Sequence, residues 1–254
     1  MKSQHILILI STLILFNCKQ DTWQLKQIKG EQIAITDSLK PDPEIEAFIK
    51  PYREHVNKDL DSVLSYAVAT YSKSDGELNT AIGNLFADVV YEQANPVFYK
   101  RTGKNIDMVL LNHGGIRAII SKGPITSRTA YEIMPFENSI VIVGIKGSQI
   151  NLLINYLAQA KRAHPIAKLN LVLDVDDQVK EATISGKPID ANKTYYVATN
   201  DYLYSGGDHM TFFKPEESIE ILDYKIRNAF IDYFKKTDTI NPVIDNRFIK
   251  FKNE

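Results

Sequence analysis

The sequence predicts an α+β fold, a single domain in which a mixed β-sheet carries helices on its flanks. Three observations lead there. Amphipathic stretches with apolar residues at i, i+3, i+4 and i+7 alternate with short β-branched runs of strand length. Some of those runs follow one another with only turns between them, while others are separated by helices. No internal repeat, low-complexity tract or interdomain linker divides the chain.

The N-terminus reads as an export signal. Lys2 precedes the apolar run "ILILISTLILF", Ile6 to Phe16, which is too short to span a bilayer comfortably as a helix. The run ends at Cys18, the only cysteine in the chain. An exported protein gains nothing obvious from one unpaired thiol unless it is modified. Residues 1–17 are therefore expected to be a lipoprotein signal peptide, with Cys18 the lipidated start of the mature chain, on the periplasmic or cell-surface side of a bacterial membrane. The plainer alternative is a chance cysteine in a discarded leader. Residues 18–29 read as a tether and 30–254 as the domain, with a first strand expected before about residue 40.

A helix is expected from Pro43 through "EIEAFIKPYREHVNKDLDSVL", kinked or broken at Pro51. "LNTAIGNLFADVVYEQA" is the cleanest helix: Asn79 is a candidate cap, and Ile82, Leu85, Phe86, Val89 and Val90 share a face. "IDMVLL" and "SIVIVGI" are strand-like, and "SQINLLINYLAQAKR" is helical. "KLNLVLDVD", "EATISG" and "TYYVATNDYL" read as strands. "DYKIRNAFIDYFKK" closes as a helix, with Asp223 as its expected cap and Ile226, Phe230 and Phe234 buried.

Composition bounds the function. Of 254 residues, 44% are apolar and 24% charged, as in an ordinary soluble globular domain. The net charge of −1 argues against a general binder of phosphate backbones.

One stretch, "NHGGIRAIISKGPITSRTAYEIMPFENS", is unusually dense in special residues. Asn112 follows a predicted strand, Gly114 and Gly115 allow close main-chain approach, and Arg117 offers a planar fork for carboxylate, phosphate or ribose oxygens. Taken alone, this is equally a strand-loop junction with a surface arginine. A second stretch, "TNDYLYSGGDHM", repeats the arrangement with Tyr202, Gly206, Gly207 and Asp208. Phe136 in "MPFEN" and Tyr202 are a candidate sandwich for a flat ring, an arrangement that tolerates different bases.

In order, "IGNLFADVV", "NHGGIRA", "GPIT", "MPFEN", "TNDYLYSGGD" and "RNAFIDYFKK" resemble the C-terminal domain of the 5'-nucleotidase / UDP-sugar hydrolase family, over the chain from about residue 30 onward. That resemblance implies a domain that holds the nucleoside part of a substrate for a separate metallophosphoesterase domain. It implies that Phe136 and Tyr202 stack on the base, Tyr202 standing where phenylalanine is common. Asn112, with Asn138 nearby, would bond the base edge, Asp208 would accept from the ribose hydroxyls, and Arg117 would reach ribose or phosphate oxygens. Gly114, Gly115, Gly206 and Gly207 would provide the close backbone approach. The chain departs from the family where basic residues usually precede the "GNL" helix: "SKSDGELNTAIGNL" holds only Lys73.

A two-metal phosphoesterase needs clustered Asp, His and Asn ligands. The five histidines, His5, His55, His113, His164 and His209, form no such spacing, and the sequence shows no P-loop and no nucleophile-base motif. His113 and His209, beside the candidate site, read as bystanders. No catalytic residue, metal ligand or cofactor is expected in this chain. Divalent metals are expected on a separately encoded metallophosphoesterase partner. The resulting expectation is a membrane-tethered nucleotide-recognition half of a 5'-nucleotidase-type phosphohydrolase in nucleotide catabolism. The alternative is a non-catalytic nucleoside- or nucleotide-binding lipoprotein for scavenging. Mass spectrometry of the mature N-terminus should find an acylated Cys18, and a product cleaved elsewhere without acyl mass would refute the anchor.

Overall fold

The computed structural model describes residues 24–251, so the expected signal peptide, Cys18 and the start of the tether lie outside the described residues. Among these, the residues from Lys50 onward form one compact unit and those before it another. Residues 24–42 contain a turn but no strand, so the expected first strand is absent there. Helix α1 (Pro43–Leu60) is capped by Asp42, whose Oδ1 accepts from the amides of Glu44 and Ile45. Pro51 sits inside α1 without ending it.

The helix stops at Leu60, before the expected Leu64. Val63–Ala67 is strand β1, paired antiparallel with β3 (Gly123–Thr126) and parallel with β11 (Thr239–Ile240). Non-local ladder bonds there override the helical pattern read from sequence.

Helix α2 (Ala81–Thr102) buries Ile82, Leu85, Phe86, Val89 and Val90 as expected. Its cap is Thr80 rather than Asn79: the Thr80 side chain accepts from the Gly83 amide. Asn79 instead donates through Nδ2 to the carbonyls of Asp245 (3.0 Å) and Phe248 (2.8 Å). Asn84 donates to Asn79 Oδ1 and to the Val243 carbonyl. The start of α2 is thereby tied to a segment more than 150 residues away. Arg247 adds a bidentate pair with Asp88, both bonds at 2.9 Å. The helix runs through Pro96 and ends at Gly103, whose φ of 70° and amide bond to Tyr99 close the last turn.

The central sheet has the order β10–β4–β9–β2–β5, formed by Ser218–Lys225, Ser139–Lys146, Thr194–Asn200, Met108–Leu110 and Ile166–Ala167. It is mixed: β9 runs parallel to β2 and antiparallel to β4. Strand β4 reads as a continuous apolar run because both of its faces are buried. Ile140 and Ile142 join a core built with α2 and α6 (Ile226–Lys236), around Phe86, Phe230 and Phe234. Val141, Val143 and Ile145 point into a second core with Leu153 and Leu157 of α4 (Gly147–Ala160). That second core also takes Leu169, Leu171 and Phe248 from the third sheet, β12–β6–β7–β8, where β12 is Phe248–Lys250, β6 Leu169–Leu173, β7 Val179–Ile184 and β8 Lys187–Pro188.

Helix α6 buries Ile226, Phe230 and Phe234 as read from sequence. Asp223 is not its cap. It lies inside β10 with φ at 52°, and Lys225 holds the cap position without a side-chain cap bond. Short helices α3 (Ser127–Ile133) and α5 (Asp201–Tyr204) complete the unit. No helix among the described residues is long and apolar enough to cross a membrane.

Candidate functional site

The sheet register decides where the site lies. Ile140 at the start of β4 faces Asn200 at the end of β9, and β2 runs parallel to β9. The segment after β2, the one before β4 and the one after β9 therefore emerge at the same sheet end. These three segments carry all the candidate residues.

Asn112, Gly114, Gly115, Arg117, Phe136, Asn138, Tyr202 and Asp208 line a single cavity of about 320 Å³. The aromatic exposures separate this pair from the core. Phe136 is 40% exposed and Tyr202 46%, whereas Phe86, Phe213, Phe230 and Phe234 are all but sealed. Two large rings left facing solvent at one cavity are available to a ligand.

The first wall is the segment after β2. His113–Gly115 forms one 3₁₀ turn, and the Asn112 side chain lies against Gly114 and Gly115. A Cβ on Gly115 would stand 3.0 Å from Asn112 Oδ1, so a side chain there would push the amide away. Asn112 is buried, and its Oδ1 accepts from Asn200 Nδ2 at 3.4 Å. Asn200 in turn caps α5, its Oδ1 accepting from the Leu203 amide at 2.8 Å. Two of the three segments are thus joined through one amide pair. Lys73, the only cation in the stretch just ahead of α2, donates to the Ile116 carbonyl at 3.0 Å and braces this loop from the side. Below it, the His113 amide donates to His164 Nδ1 at 3.3 Å. Burial pushes the His164 imidazole down to about 4, so at neutral pH it is uncharged and can accept that bond.

The second wall is the "MPFEN" segment. Arg117 places its guanidinium 5.7 Å from the centre of the Phe136 ring and donates to the Gly114 carbonyl at 3.4 Å. The segment is held from beneath by the first turn of α6. Arg227, only 6% exposed, donates to the carbonyls of Pro135 (3.2 Å) and Phe136 (3.4 Å) and pairs with Glu137. Its guanidinium also lies 4.2 Å over the Tyr131 ring. Lys225 donates to the Glu137 carbonyl, and the Ile226 amide donates to the Asn138 carbonyl. The Arg227 hydrogen bond holds the Glu137 carboxyl below its ordinary range.

Sequence reading assigned Arg227 no role. A signal for it was present: Arg227 and Phe234 are seven residues apart and therefore share a helix face, and Phe234 is fully buried. A charge on the apolar face needs a partner.

The third wall is the turn after β9. The Tyr202 hydroxyl donates to Asp208 Oδ1 at 2.9 Å and accepts from the Asp208 amide at 3.3 Å. That bond to the carboxylate raises the Tyr202 pKa. Gly206 and Gly207 do not line the cavity; they let the turn wrap the Tyr202 ring. Gly206 has φ at 94°, and a Cβ on Gly207 would fall 2.5 Å from the ring. Asp208 and His209 both have positive φ, at 51° and 60°. The Asp208 carbonyl accepts from Tyr156 of α4 at 2.9 Å, which fixes the carboxylate's position from the core side.

Among the described residues, no group of three or more His, Cys, Asp or Glu side chains is placed to hold a metal ion. The arrangement offers ring faces, amide edges, one carboxylate and one guanidinium, which is recognition chemistry.

The sequence profile of the 5'-nucleotidase C-terminal domain matches residues 57–215. Protein UshA of Yersinia enterocolitica is 27% identical over 213 residues, covering 80% of this chain and 35% of its own length. Cell wall protein Lmo0130 of Listeria monocytogenes is 27% identical over 226 residues, covering 83% and 27%. The chain thus spans about a third or less of these relatives. The crystal structure of a 5'-nucleotidase precursor from Thermus thermophilus superposes with a TM-score of 0.68 at 24% identity. That match covers 83% of this chain and 43% of the other, and it supports the same fold.

Replacing Arg227 by Lys keeps the charge but loses the fork that reaches two carbonyls and a carboxylate. The variant should be about 1–3 kcal/mol less stable, with faster amide exchange in the peptide covering residues 134–139. Unchanged exchange there would show that Arg227 does not fix this wall.

Proposed function

The chain belongs to the 5'-nucleotidase C-terminal domain family, and from that premise we propose that it is the nucleotide-recognition half of a 5'-nucleotidase-type phosphohydrolase. The observation that carries the reading is the shared cavity, in which two solvent-facing rings from different segments stand with Asn112, Asn138, Asp208 and Arg117. A purine or pyrimidine inserts between Phe136 and Tyr202. The rings supply dispersion and stacking worth roughly 1–3 kcal/mol per base without selecting among bases.

The amides of Asn112 and Asn138 meet the base edge. Asn112 Oδ1 is engaged by Asn200, so its NH₂ is the free face of that amide. Asp208 accepts from ribose hydroxyls. Its Oδ1 already takes the Tyr202 hydroxyl, which orients the carboxylate before any ligand arrives. Arg117, held over Phe136, reaches ribose or phosphate oxygens at the cavity mouth. Lys73 is occupied with a backbone carbonyl, so Arg117 is the principal cation of this cavity.

This chain's residues bind and orient. Hydrolysis at phosphorus takes place on a metallophosphoesterase surface, whose divalent ions activate water. In this reading that surface is a separately encoded partner, and a lipid anchor at Cys18 holds the two together on the membrane. Shared tethering raises their effective concentration as a linker does in a fused protein.

Calorimetry with adenosine and AMP tests the cavity. Phe136→Ala and Tyr202→Ala should each weaken binding by roughly 1–3 kcal/mol, and wild-type affinity in both variants would overturn the sandwich. Co-expression with a metallophosphoesterase from the same genome tests the partnership, with AMP and UDP-sugar hydrolysis as the assay. The protein should copurify and raise the rate, and Arg117→Ala should reduce that gain. Binding without copurification or any change in rate would favour a scavenging lipoprotein instead.

A further inference from the structure

A second cavity, of about 550 Å³, adjoins the candidate nucleoside site. Gly114 and Asp208 line both, so the two cavities share a wall at Asp208. The floor of the second cavity is Tyr156 and the buried His164, and its rim carries Gln159, Arg162 and His209.

Its electrostatics differ from those of a solvated groove between acids and bases. Asp208 is the only carboxylate among the lining residues, and its Oδ1 already accepts from Tyr202. Arg162 follows the end of α4, where a cation could bond the last helical carbonyls, yet its guanidinium has no hydrogen-bond or ion-pair partner among the described residues. The His209 ring is likewise unpartnered among the described residues, and the positive φ of His209 follows that of Asp208 in one tight turn. Tyr156 is occupied with the Asp208 carbonyl, and the neutral His164 ring accepts from the His113 amide, so neither opposes a negative charge. The free Arg162 guanidinium shares this cavity with the Asp208 carboxylate, which keeps its charge while accepting from Tyr202. The cavity therefore takes an anion at its Arg162 end when the same ligand also satisfies Asp208.

We propose that this second cavity receives a phosphoryl group carried on the 2'- or 3'-oxygen of the ribose, so that the protein prefers ribose-phosphorylated nucleosides over unsubstituted ones. The proposal rests on the placement of the ribose at Asp208 given above. In a 2'- or 3'-monoester one hydroxyl remains to donate to Asp208, while the neighbouring ester projects past it towards Arg162 and His209. Arg162 binds the phosphoryl oxygens by charge-assisted hydrogen bonds, and the remaining volume accommodates the phosphate with its water. A 5'-phosphate leaves the sugar on the opposite side and does not reach this cavity.

Titration calorimetry of the intact protein with adenosine and its 2'-, 3'- and 5'-monophosphates separates the possibilities. At least one of the 2'- and 3'-esters should bind roughly tenfold more tightly than adenosine, and the 5'-ester should gain less. Arg162→Ala, an exposed substitution, should abolish that preference, and Arg162→Lys should retain part of it. Phe136→Ala should weaken all four ligands while keeping their order. Equal affinity for adenosine and both esters, or a preference that survives Arg162→Ala, would overturn the subsite while leaving the nucleoside cavity standing. If Phe136→Ala changes no affinity, the nucleoside reading itself fails, and this proposal falls with it.

Discussion

The pairing of β4 with β9 is the constraint on which the rest of the site depends. Seven consecutive pairs, from Ile140 with Asn200 to Lys146 with Thr194, lock the two strands antiparallel. The start of one is therefore beside the end of the other. Because β2 runs parallel to β9, its own exit joins them. A one-residue slip would exchange the residues of β4 between the two cores, which is why the register is strongly specified. Ile140 and Ile142 pack on one side and Val141, Val143 and Ile145 on the other, so the fit of these side chains to two different cores holds the register. The cavity is a consequence of a packing problem solved elsewhere in the sheet.

Convergence alone does not make a site; each wall also has to be rigid. Different devices do this in each segment. The segment after β2 is held by the Asn112–Asn200 amide pair and by Lys73. The segment before β4 is held from below by Arg227, whose guanidinium engages two carbonyls, one carboxylate and one ring face. The turn after β9 is closed on the Tyr202 ring by glycines and by the two-way bonding between Tyr202 and Asp208. Each device fixes a recognition group before any ligand arrives, and such preorganisation reduces what a ligand loses in ordering its site.

The motifs divide by what they do. "IGNLFADVV" supplies packing and anchorage: Asn84 and Asp88 are occupied with the segment from Val243 to Arg247. "NHGGIRA", "MPFEN" and "TNDYLYSGGD" supply cavity walls. "RNAFIDYFKK" does both, since Phe230 and Phe234 build a core while Arg227 reaches the loop above it. Arg117, from one of the wall motifs, places a cation at the cavity of a chain whose net charge is −1.

Much of this was legible in the chain itself. Local periodicity determined the helices from Ala81, Gly147 and Ile226 and the apolar strands, because burial of a helix stripe or strand face is written in residue spacing. The Gly114–Gly115 pair and the loop aromatics Phe136 and Tyr202 marked the cavity walls, since large rings usually belong to the core. The tertiary structure alone decided what depends on distant partners. Thr80 caps α2 because Asn79 is drawn to the carbonyls of Asp245 and Phe248. Val63 and Leu64 leave the helical pattern for strand β1, in which Val63 pairs with β3 while Tyr66 and Ala67 pair with β11. Arg227 acquires its role from a loop some 90 residues earlier, and Gly206 and Gly207 serve the Tyr202 ring rather than the cavity. Spacing along a chain reports which face a residue takes, whereas its hydrogen-bond partner is set only when non-local segments meet.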